Sequence, residues 1–252
     1  MQSAAALLRR ALIVAFAFLA AAPARAADIV RQDITISGRE RAYYLYVPDT
    51  AKGGNAPLLL LLHGSGGNGQ EISTLWKDVA DREGIVLVAP NAWHNDAWRP
   101  ADDTPHVIGT VINDAAARTP GIDFCRLYLF GQSGGAVYAL VLSMLESRAF
   151  AATAIHAGSW RNAHDFKMIS LAARRIPLKI IIGDLDEFFT VASVRNTEDA
   201  LKKAGFPVEV EVVPGQHHPF NAQTAPGIDE SAWAFLKTQK LDGPPVFADY
   251  GP

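Results

Sequence analysis

Ser133 lies in the segment Gly131-Gln132-Ser133-Gly134-Gly135, where a hydroxyl group has glycines on both sides. An apolar run, residues 127–130, precedes this segment, and a stretch rich in small and apolar residues follows it. A serine on a sharp strand-to-helix turn is typical of a nucleophile elbow, in which small neighbours let the strand and the helix approach closely. The pattern predicts that Ser133 is the nucleophile of an acyl-transfer reaction. The alternative is a glycine-rich turn that carries an ordinary serine.

A serine hydroxyl near neutral pH needs a base that accepts its proton and an acid that orients this base. Two downstream loops offer such groups, and each follows an apolar run. The first contains Asp184 and Asp186, and the second contains His217 and His218. The order of serine, acid and histidine is the one expected after a nucleophile elbow. We favour Asp186, which lies deeper in its loop, and His218, which closes a Pro-Gly-x-x-His segment; Asp184 and His217 stay open as alternatives.

Acyl transfer also needs hydrogen-bond donors for the negatively charged oxygen of its intermediate. The amide of Gly134, directly after the nucleophile, is expected to be one donor. The second is expected from the glycine-rich loop of residues 63–69, with the amide of Ser65 favoured and His63 bracing the loop. No lysine follows this loop, which argues against a phosphate site. The two adjacent histidines lack a third ligand at suitable spacing, so neither a metal nor another cofactor is expected.

Three tryptophans follow apolar runs that are candidates for strands. Trp93 and Trp98 lie after residues 85–89, and Trp160 lies after residues 152–155. Tryptophans in strand-end loops are suited to form an aromatic wall for an acyl or aryl group. The alternative is that they pack within their own loops.

The elements that must position these residues can be read from the hydrophobic pattern. An alternating segment, residues 29–36 and 42–47, predicts an antiparallel hairpin. Six nearly continuous apolar runs follow, which is typical of strands buried in a parallel sheet: residues 58–62, 85–89, 127–130, 152–155, 178–182 and 208–213. Helix-like stretches lie between or after them: residues 72–83, 107–118, 136–147, 191–204 and 230–240, the last behind Asp229 as a predicted cap.

This alternation predicts an α/β fold with an eight-stranded, mostly parallel sheet, an N-terminal antiparallel hairpin and helices on both faces. Ligands bind at the carboxyl ends of the strands in such sheets, so the loops that carry the candidate residues should converge there. Only 21 residues separate His156 from Leu178, which leaves no room for a lid domain and predicts an open cleft.

The hairpin, the loop after His63, the Ser133 elbow, Asp186 and His218 together resemble the polyhydroxybutyrate-depolymerase-like and feruloyl-esterase-like branch of the α/β-hydrolase superfamily, over residues 28–240. The resemblance implies the α/β-hydrolase fold and a serine carboxylic-ester hydrolase. Depolymerase relatives often carry disulfides and polymer-binding modules, whereas this chain has one cysteine, Cys125, and no second domain. We therefore expect soluble, aryl or short-chain esters as substrates rather than insoluble polymer, and we expect the thiol of Cys125 to be buried.

Two other functions are alternatives for a chain with these residues. The first is hydrolysis of peptides or amides, against which the absence of a large additional domain argues. The second is a non-catalytic exported binding protein, against which the complete set of catalytic residue types argues.

The first 26 residues have the layout of a secretory signal peptide. Arg9 and Arg10 precede a 12-residue apolar run, and Ala24 and Ala26 provide small residues for cleavage. The run is shorter than the roughly 18 residues that span a bilayer, although a membrane anchor is the alternative reading. We expect cleavage after Ala26, a single domain over residues 27–252 and an exported protein, periplasmic or secreted.

The charge balance bears on the partners. Removal of residues 1–26 takes three arginines from 23 basic residues and leaves the 26 acidic ones, for a net charge of about −6. Such a chain is suited neither to nucleic acid nor to an anionic membrane surface. A small-molecule or oligomeric ester is the expected partner, and the sequence does not predict an oligomeric state.

Overall fold

The computed structural model describes residues 27–248, so the predicted signal peptide lies outside the described residues. Eight strands are present in this range: β1 (Val30–Ile36), β2 (Arg39–Tyr46), β3 (Ala56–Leu62), β4 (Val86–Pro90), β5 (Ile122–Gln132), β6 (Ala152–His156), β7 (Leu178–Gly183) and β8 (Val208–Val213). They form one sheet in the order β1-β2-β4-β3-β5-β6-β7-β8. β2 is antiparallel to both β1 and β4, and all other neighbours are parallel. The predicted sheet, including its N-terminal hairpin, is confirmed.

Six α-helices connect or follow the strands in the described range: α1 (Gly69–Glu83), α2 (Pro105–Arg118), α3 (Gly134–Leu145), α4 (Ala163–Lys167), α5 (Val191–Lys203) and α6 (Ala225–Leu236). Side chains that cap the first turn explain where four of them begin. Asn68, Thr104, Asn162 and Thr190 accept hydrogen bonds from the first-turn amides of α1, α2, α4 and α5. Between β6 and β7 the chain forms only α4 and a short 3₁₀ turn, Met168–Leu171, so no lid domain is present there.

The two faces of the sheet pack against different helices, as β3 shows. Leu58, Leu60 and Leu62 belong to a hydrophobic cluster that includes residues of α2, α3 and α5. Leu59 and Leu61 belong to a second cluster with α1 and α6. Successive side chains of a strand point to opposite faces, so a continuous apolar run is needed to fill both layers. Helices therefore cover both faces, as predicted.

The last helix differs from its prediction. It begins at Ala225, five residues before the expected start, and Asp229 lies inside it rather than at its cap. Pro226 and Gly227 look like helix breakers in the sequence, but proline is tolerated in the first helical turn, where its missing N–H has no intrahelical partner. Asp229 is consequently buried, and burial raises the pKa of its carboxyl group to about 6.

Cys125 also differs from its prediction, because it is half-buried rather than part of the core. β5 begins at Ile122, and its first five residues are all only partly covered. The apolar residues next to Cys125 in the sequence therefore do not indicate that its side chain is fully buried.

A buried ion pair ties β2 to the loop that precedes α2. Arg41 Nη1 lies 2.7 Å from Asp103 Oδ1, and both side chains are almost entirely buried. Asp103 also accepts hydrogen bonds from the amides of Trp93 and Arg99, at 2.8 and 2.9 Å. One carboxylate thus neutralises the arginine and fixes the loop that carries Trp98.

His156, at the end of β6, is fully buried, and neither ring nitrogen has a hydrogen-bond partner in the described part of the chain. Burial lowers the pKa of His156 to about 4, and the neighbouring His218 acts in the same direction. The ring of Phe220 lies 5.7 Å away, centroid to centroid. The imidazole of His156 is therefore held neutral.

We predict that Asp103→Ala lowers the free energy of unfolding by about 3–5 kcal/mol, because it leaves the charge of Arg41 buried without a counter-ion. Asp102→Ala is the matched control. Its ion pair with Arg39 is partly exposed, so a loss below about 1 kcal/mol is expected. Urea unfolding of both variants measures the difference, and equal losses would contradict the structural role of Asp103.

We predict that His156 makes the protein less stable in mild acid. The unfolded chain binds a proton at this histidine below about pH 6.5, whereas the folded protein resists protonation down to about pH 4. The difference in proton binding at His156 therefore costs no unfolding free energy above about pH 6.5, and it lowers the free energy of unfolding increasingly as the pH falls below this value. Between pH 7.5 and pH 5, wild type should lose about 2 kcal/mol more unfolding free energy than His156→Leu. Denaturant titrations at the two pH values test this, and identical losses would contradict it.

Candidate active site

Ser133 occupies a strained turn between β5 and α3. Its backbone angles are φ 52° and ψ −117°, in a region that non-glycine residues rarely adopt. The amide of Ser133 donates a hydrogen bond to the carbonyl oxygen of His156, at 3.0 Å. A Cβ on Gly131 would lie 2.3 Å from the carbonyl oxygen of Gly135, and one on Gly135 would lie 2.2 Å from that of Leu62. These contacts explain why glycine flanks the serine.

A chain of hydrogen bonds links Ser133 to the two loops that were expected to supply an acid and a base. His218 Nε2 lies 2.8 Å from Ser133 Oγ, and His218 Nδ1 lies 2.8 Å from Asp186 Oδ2. The other oxygen of Asp186 accepts hydrogen bonds from the amides of Phe188 and Phe189, at 2.8 and 2.7 Å. The Asp186 carboxylate is therefore buried, and both of its oxygens have hydrogen-bond partners.

The alternative residues lie next to this chain but do not contact Ser133. Asp184 accepts a hydrogen bond from the amide of Gly215 at 2.6 Å and so links the loops after β7 and β8. His217 pairs with Glu187, and both side chains are more than half exposed. The other oxygen of Glu187 accepts a hydrogen bond from the amide of His218, at 3.3 Å. The sequence analysis did not single out Glu187 as a partner of His217 and His218. Its position directly after Asp186, in the same loop, was the available signal.

Ser65 lies close to Gly134, the residue directly after Ser133. The nitrogen of Ser65 lies 3.4 Å from the position that a Cβ on Gly134 would occupy. Within residues 27–248, neither amide donates a hydrogen bond to another group. Two free amides in one place form a site that favours a negatively charged oxygen.

His63 holds the loop that presents the amide of Ser65. Its Nδ1 lies 2.8 Å from the carbonyl oxygen of Gly64, and its Nε2 lies 3.1 Å from the amide nitrogen of Ala92. The indole of Trp98 donates to the carbonyl oxygen of His63, at 2.8 Å. Burial lowers the pKa of His63. A neutral ring with the proton on Nδ1 satisfies both contacts, so the side chain braces this loop.

The three tryptophans lie in different places. Trp98 lines an apolar cavity next to Gly134 and stacks on Tyr138, with the ring centroids 5.4 Å apart. Trp160 is buried beneath the surface and packs against Phe166. Trp93 lies against the guanidinium groups of two arginines and lines a separate polar cavity. Only Trp98, among the three, lies where an aromatic wall beside Ser133 was expected.

Two searches of residues 27–248 bear on other site types. No group of three or more histidine, cysteine, aspartate or glutamate side chains in this range is arranged to hold a metal ion. None of the helices in the same range combines the length and the apolar character that crossing a membrane requires.

Two comparisons place the chain among known sequences. The model of the dienelactone hydrolase family matches residues 42–239. A poly(3-hydroxybutyrate) depolymerase from Ralstonia pickettii is 30% identical over 147 residues, and the match covers 49% of this chain and 30% of the depolymerase. The chain thus matches less than a third of that curated relative.

Three solved structures have similar folds. A thermostable esterase has a TM-score of 0.65 at 20% identity, covering 84% of this chain and 63% of that chain. A ferulic acid esterase has a TM-score of 0.64 at 15% identity, with 84% and 97% covered. An S-formylglutathione hydrolase from Agrobacterium tumefaciens has a TM-score of 0.64 at 14% identity, with 82% and 94% covered. The expected α/β-hydrolase fold is confirmed, and with the match over residues 42–239 the chain belongs to the dienelactone hydrolase family.

Proposed function

We propose that this chain is an exported serine hydrolase that cleaves carboxylic esters through an acyl-enzyme intermediate. The observation that carries the proposal is the continuous chain of hydrogen bonds from Ser133 Oγ through His218 to Asp186. The unpaired amides of Ser65 and Gly134 beside Ser133 give it further support. In this assignment Ser133 is the nucleophile, His218 the base, Asp186 the acid that orients it, and the two amides bind the oxyanion.

The reaction proceeds in two halves. Ser133 Oγ attacks the ester carbonyl carbon while His218 Nε2 accepts the hydroxyl proton, and the amides of Ser65 and Gly134 stabilise the oxyanion. Asp186 stabilises the protonated imidazole, which then donates its proton to the leaving alkoxide. The alcohol departs and the acyl group stays on Ser133. In the second half, His218 takes a proton from water while the water oxygen attacks the acyl carbon. The bond between the acyl carbon and Ser133 Oγ then breaks, the protonated His218 returns its proton to Ser133 Oγ, and the carboxylic acid is released.

Soluble esters with aryl or short-chain groups are the proposed substrates, in preference to insoluble polymer. The short segment between β6 and β7 supports an open cleft. Ester chemistry is supported by the match to the dienelactone hydrolase family and by the likeness to a poly(3-hydroxybutyrate) depolymerase. The sequence of residues 1–26 supports export and cleavage after Ala26. The single continuous sheet supports one mature domain over residues 27–252.

We expect Ser133→Ala to abolish both labelling by a fluorophosphonate probe and turnover of p-nitrophenyl acetate. Removal of the serine from a comparable triad lowers kcat by about 2 × 10⁶. Ser159→Ala is the matched control, because its hydroxyl is buried against Ser193 and does not contact the nucleophile. Full activity in Ser133→Ala would overturn the proposal, whereas Ser159→Ala should keep both labelling and turnover.

We expect Asp186→Asn to lower kcat by about 10⁴ while the fold is retained. Two backbone amides donate to Oδ1, so the asparagine oxygen should stay there and its NH₂ group should face Nδ1 of His218. This arrangement forces the ring proton onto Nε2, which then cannot accept the proton of Ser133.

Asp184→Asn is the matched control for this prediction, because Asp184 contacts only the amide of Gly215 among its hydrogen-bond partners. Steady-state kinetics of the two variants separate the candidate acids. A larger loss of kcat in Asp184→Asn than in Asp186→Asn would show that Asp184, and not Asp186, is the acid.

A further inference from the structure

An apolar cavity of about 380 Å³ opens beside Gly134. Val137, Val141 and Leu145 of α3 form one side, and Trp98 and Met168 contribute to the others. Its volume falls within the 300–1,000 Å³ that is typical of small-molecule sites. The cavity is therefore large enough for part of a substrate.

The lining residues of α3 show the direction of the cavity. Gly134, Val137, Val141 and Leu145 are spaced by three or four residues, so they share one face of the helix. Eleven residues of helix span about 16 Å. Val137, Val141 and Leu145 are all only half-buried, although most other apolar residues of α3 are buried. The cavity thus runs along α3, away from Ser133, beside an apolar strip formed by Val137, Val141 and Leu145.

The short segment after β6 forms the outer wall. His164, Asp165 and Met168 face the cavity from this segment. Phe166 packs against Trp160, with the ring centroids 5.9 Å apart, and so anchors the wall to a fully buried side chain. Trp160 consequently supports the wall without lining the cavity.

The chemistry of the proposed reaction decides which half of an ester fits this cavity. The leaving alcohol must lie near His218 Nε2, because that atom supplies its proton. The rings of Phe188 and Phe189 border His218, with centroids 4.7 and 5.9 Å away, on the loop after β7. Gly134, whose amide is a proposed donor to the oxyanion, instead borders the cavity along α3. With the carbonyl carbon on Ser133, the acyl chain extends along α3.

We propose that this cavity is the acyl subsite and that it takes neutral acyl groups with an apolar body, of medium chain length or ring size. This inference rests on the proposed ester hydrolysis and, for the acyl half of the ester, replaces the short-chain preference with a preference for groups of medium length. The apolar strip of α3 recognises the body of the acyl group, and the carboxylate of Asp165 disfavours acyl groups that carry a second negative charge. Val141 and Met168 are the residues that set the acceptable length.

The test compares p-nitrophenyl esters from acetate to octanoate. In wild type, kcat/KM should rise about twofold to fourfold for each added methylene until the cavity is filled. Val141→Trp blocks the cavity halfway along α3, so the ratio of kcat/KM for octanoate to that for acetate should fall at least tenfold. Met168→Trp blocks the cavity from the opposite wall and should lower the same ratio, which keeps the test decisive where one variant folds poorly.

Leu171→Trp is the matched control, because Leu171 is exposed on the same segment and lies outside the cavity lining. It should leave the ratio unchanged. A second series consists of alkyl acetates of increasing alcohol length. Phe188→Ala should change the dependence of kcat/KM on alcohol length, whereas Val141→Trp should leave this dependence unchanged.

Two failures are distinguishable. Ser133-dependent hydrolysis whose acyl preference is unaffected by both blocking variants, or a preference that shifts in the alcohol series instead, would overturn the acyl subsite alone. Absence of any Ser133-dependent ester hydrolysis would overturn the proposed function together with the subsite.

Discussion

The close approach of β5 and α3 is the constraint on which the rest of the site depends. At Gly131 and Gly135 the two elements are so near that any side chain would overlap the backbone of the other element or of β3. Ser133 connects them in a strained conformation, which persists only because the surrounding packing fixes both ends. The same turn directs the serine hydroxyl toward His218 and leaves the amide of Gly134 free, and it starts the helical face that lines the acyl cavity.

Polar groups around Ser133 are held by backbone contacts rather than by other mobile side chains. Two amides fix one oxygen of Asp186, and the loop contacts of His63 fix the amide of Ser65. Donors that are already oriented need no reorganisation when charge develops, and this is the main source of their effect in catalysis. Asp103 has a similar part at longer range, because it neutralises Arg41 and holds the loop whose Trp98 contacts both His63 and the cavity.

The sheet and the placement of the candidate loops were predictable because continuous apolar runs and short turn segments report strands directly. Ser133, Asp186 and His218 follow three of those strands, so the strand-end rule brings their loops to one edge. The side-chain directions within the loops were not predictable, and Trp93 and Trp160 illustrate this. Whether an indole turns toward the cleft depends on its packing partners, Arg41 for Trp93 and Phe166 for Trp160, which the local pattern of the sequence does not identify.

Two further features, the cavity along α3 and the start of α6, were not predicted from the sequence. The half-buried valines of α3 look like ordinary core residues in the sequence until the outer wall of the cavity is known. That wall comes from the segment around Met168, whose hydrophobic pattern is weak. Pro226 and Gly227 concealed the first turn of α6, because they look like helix breakers although proline is tolerated in a first turn, where its missing N–H has no intrahelical partner.

The central claim is that Ser133 carries the acyl group during turnover. Rapid acid quench during hydrolysis of a slowly deacylating p-nitrophenyl ester, followed by mass spectrometry of the intact protein and of its peptides, measures this directly. The account predicts a mass increase equal to one acyl group, located on the peptide that contains Ser133. Turnover without any acylated protein, or an acyl group on another residue with Ser133 unmodified, would contradict it.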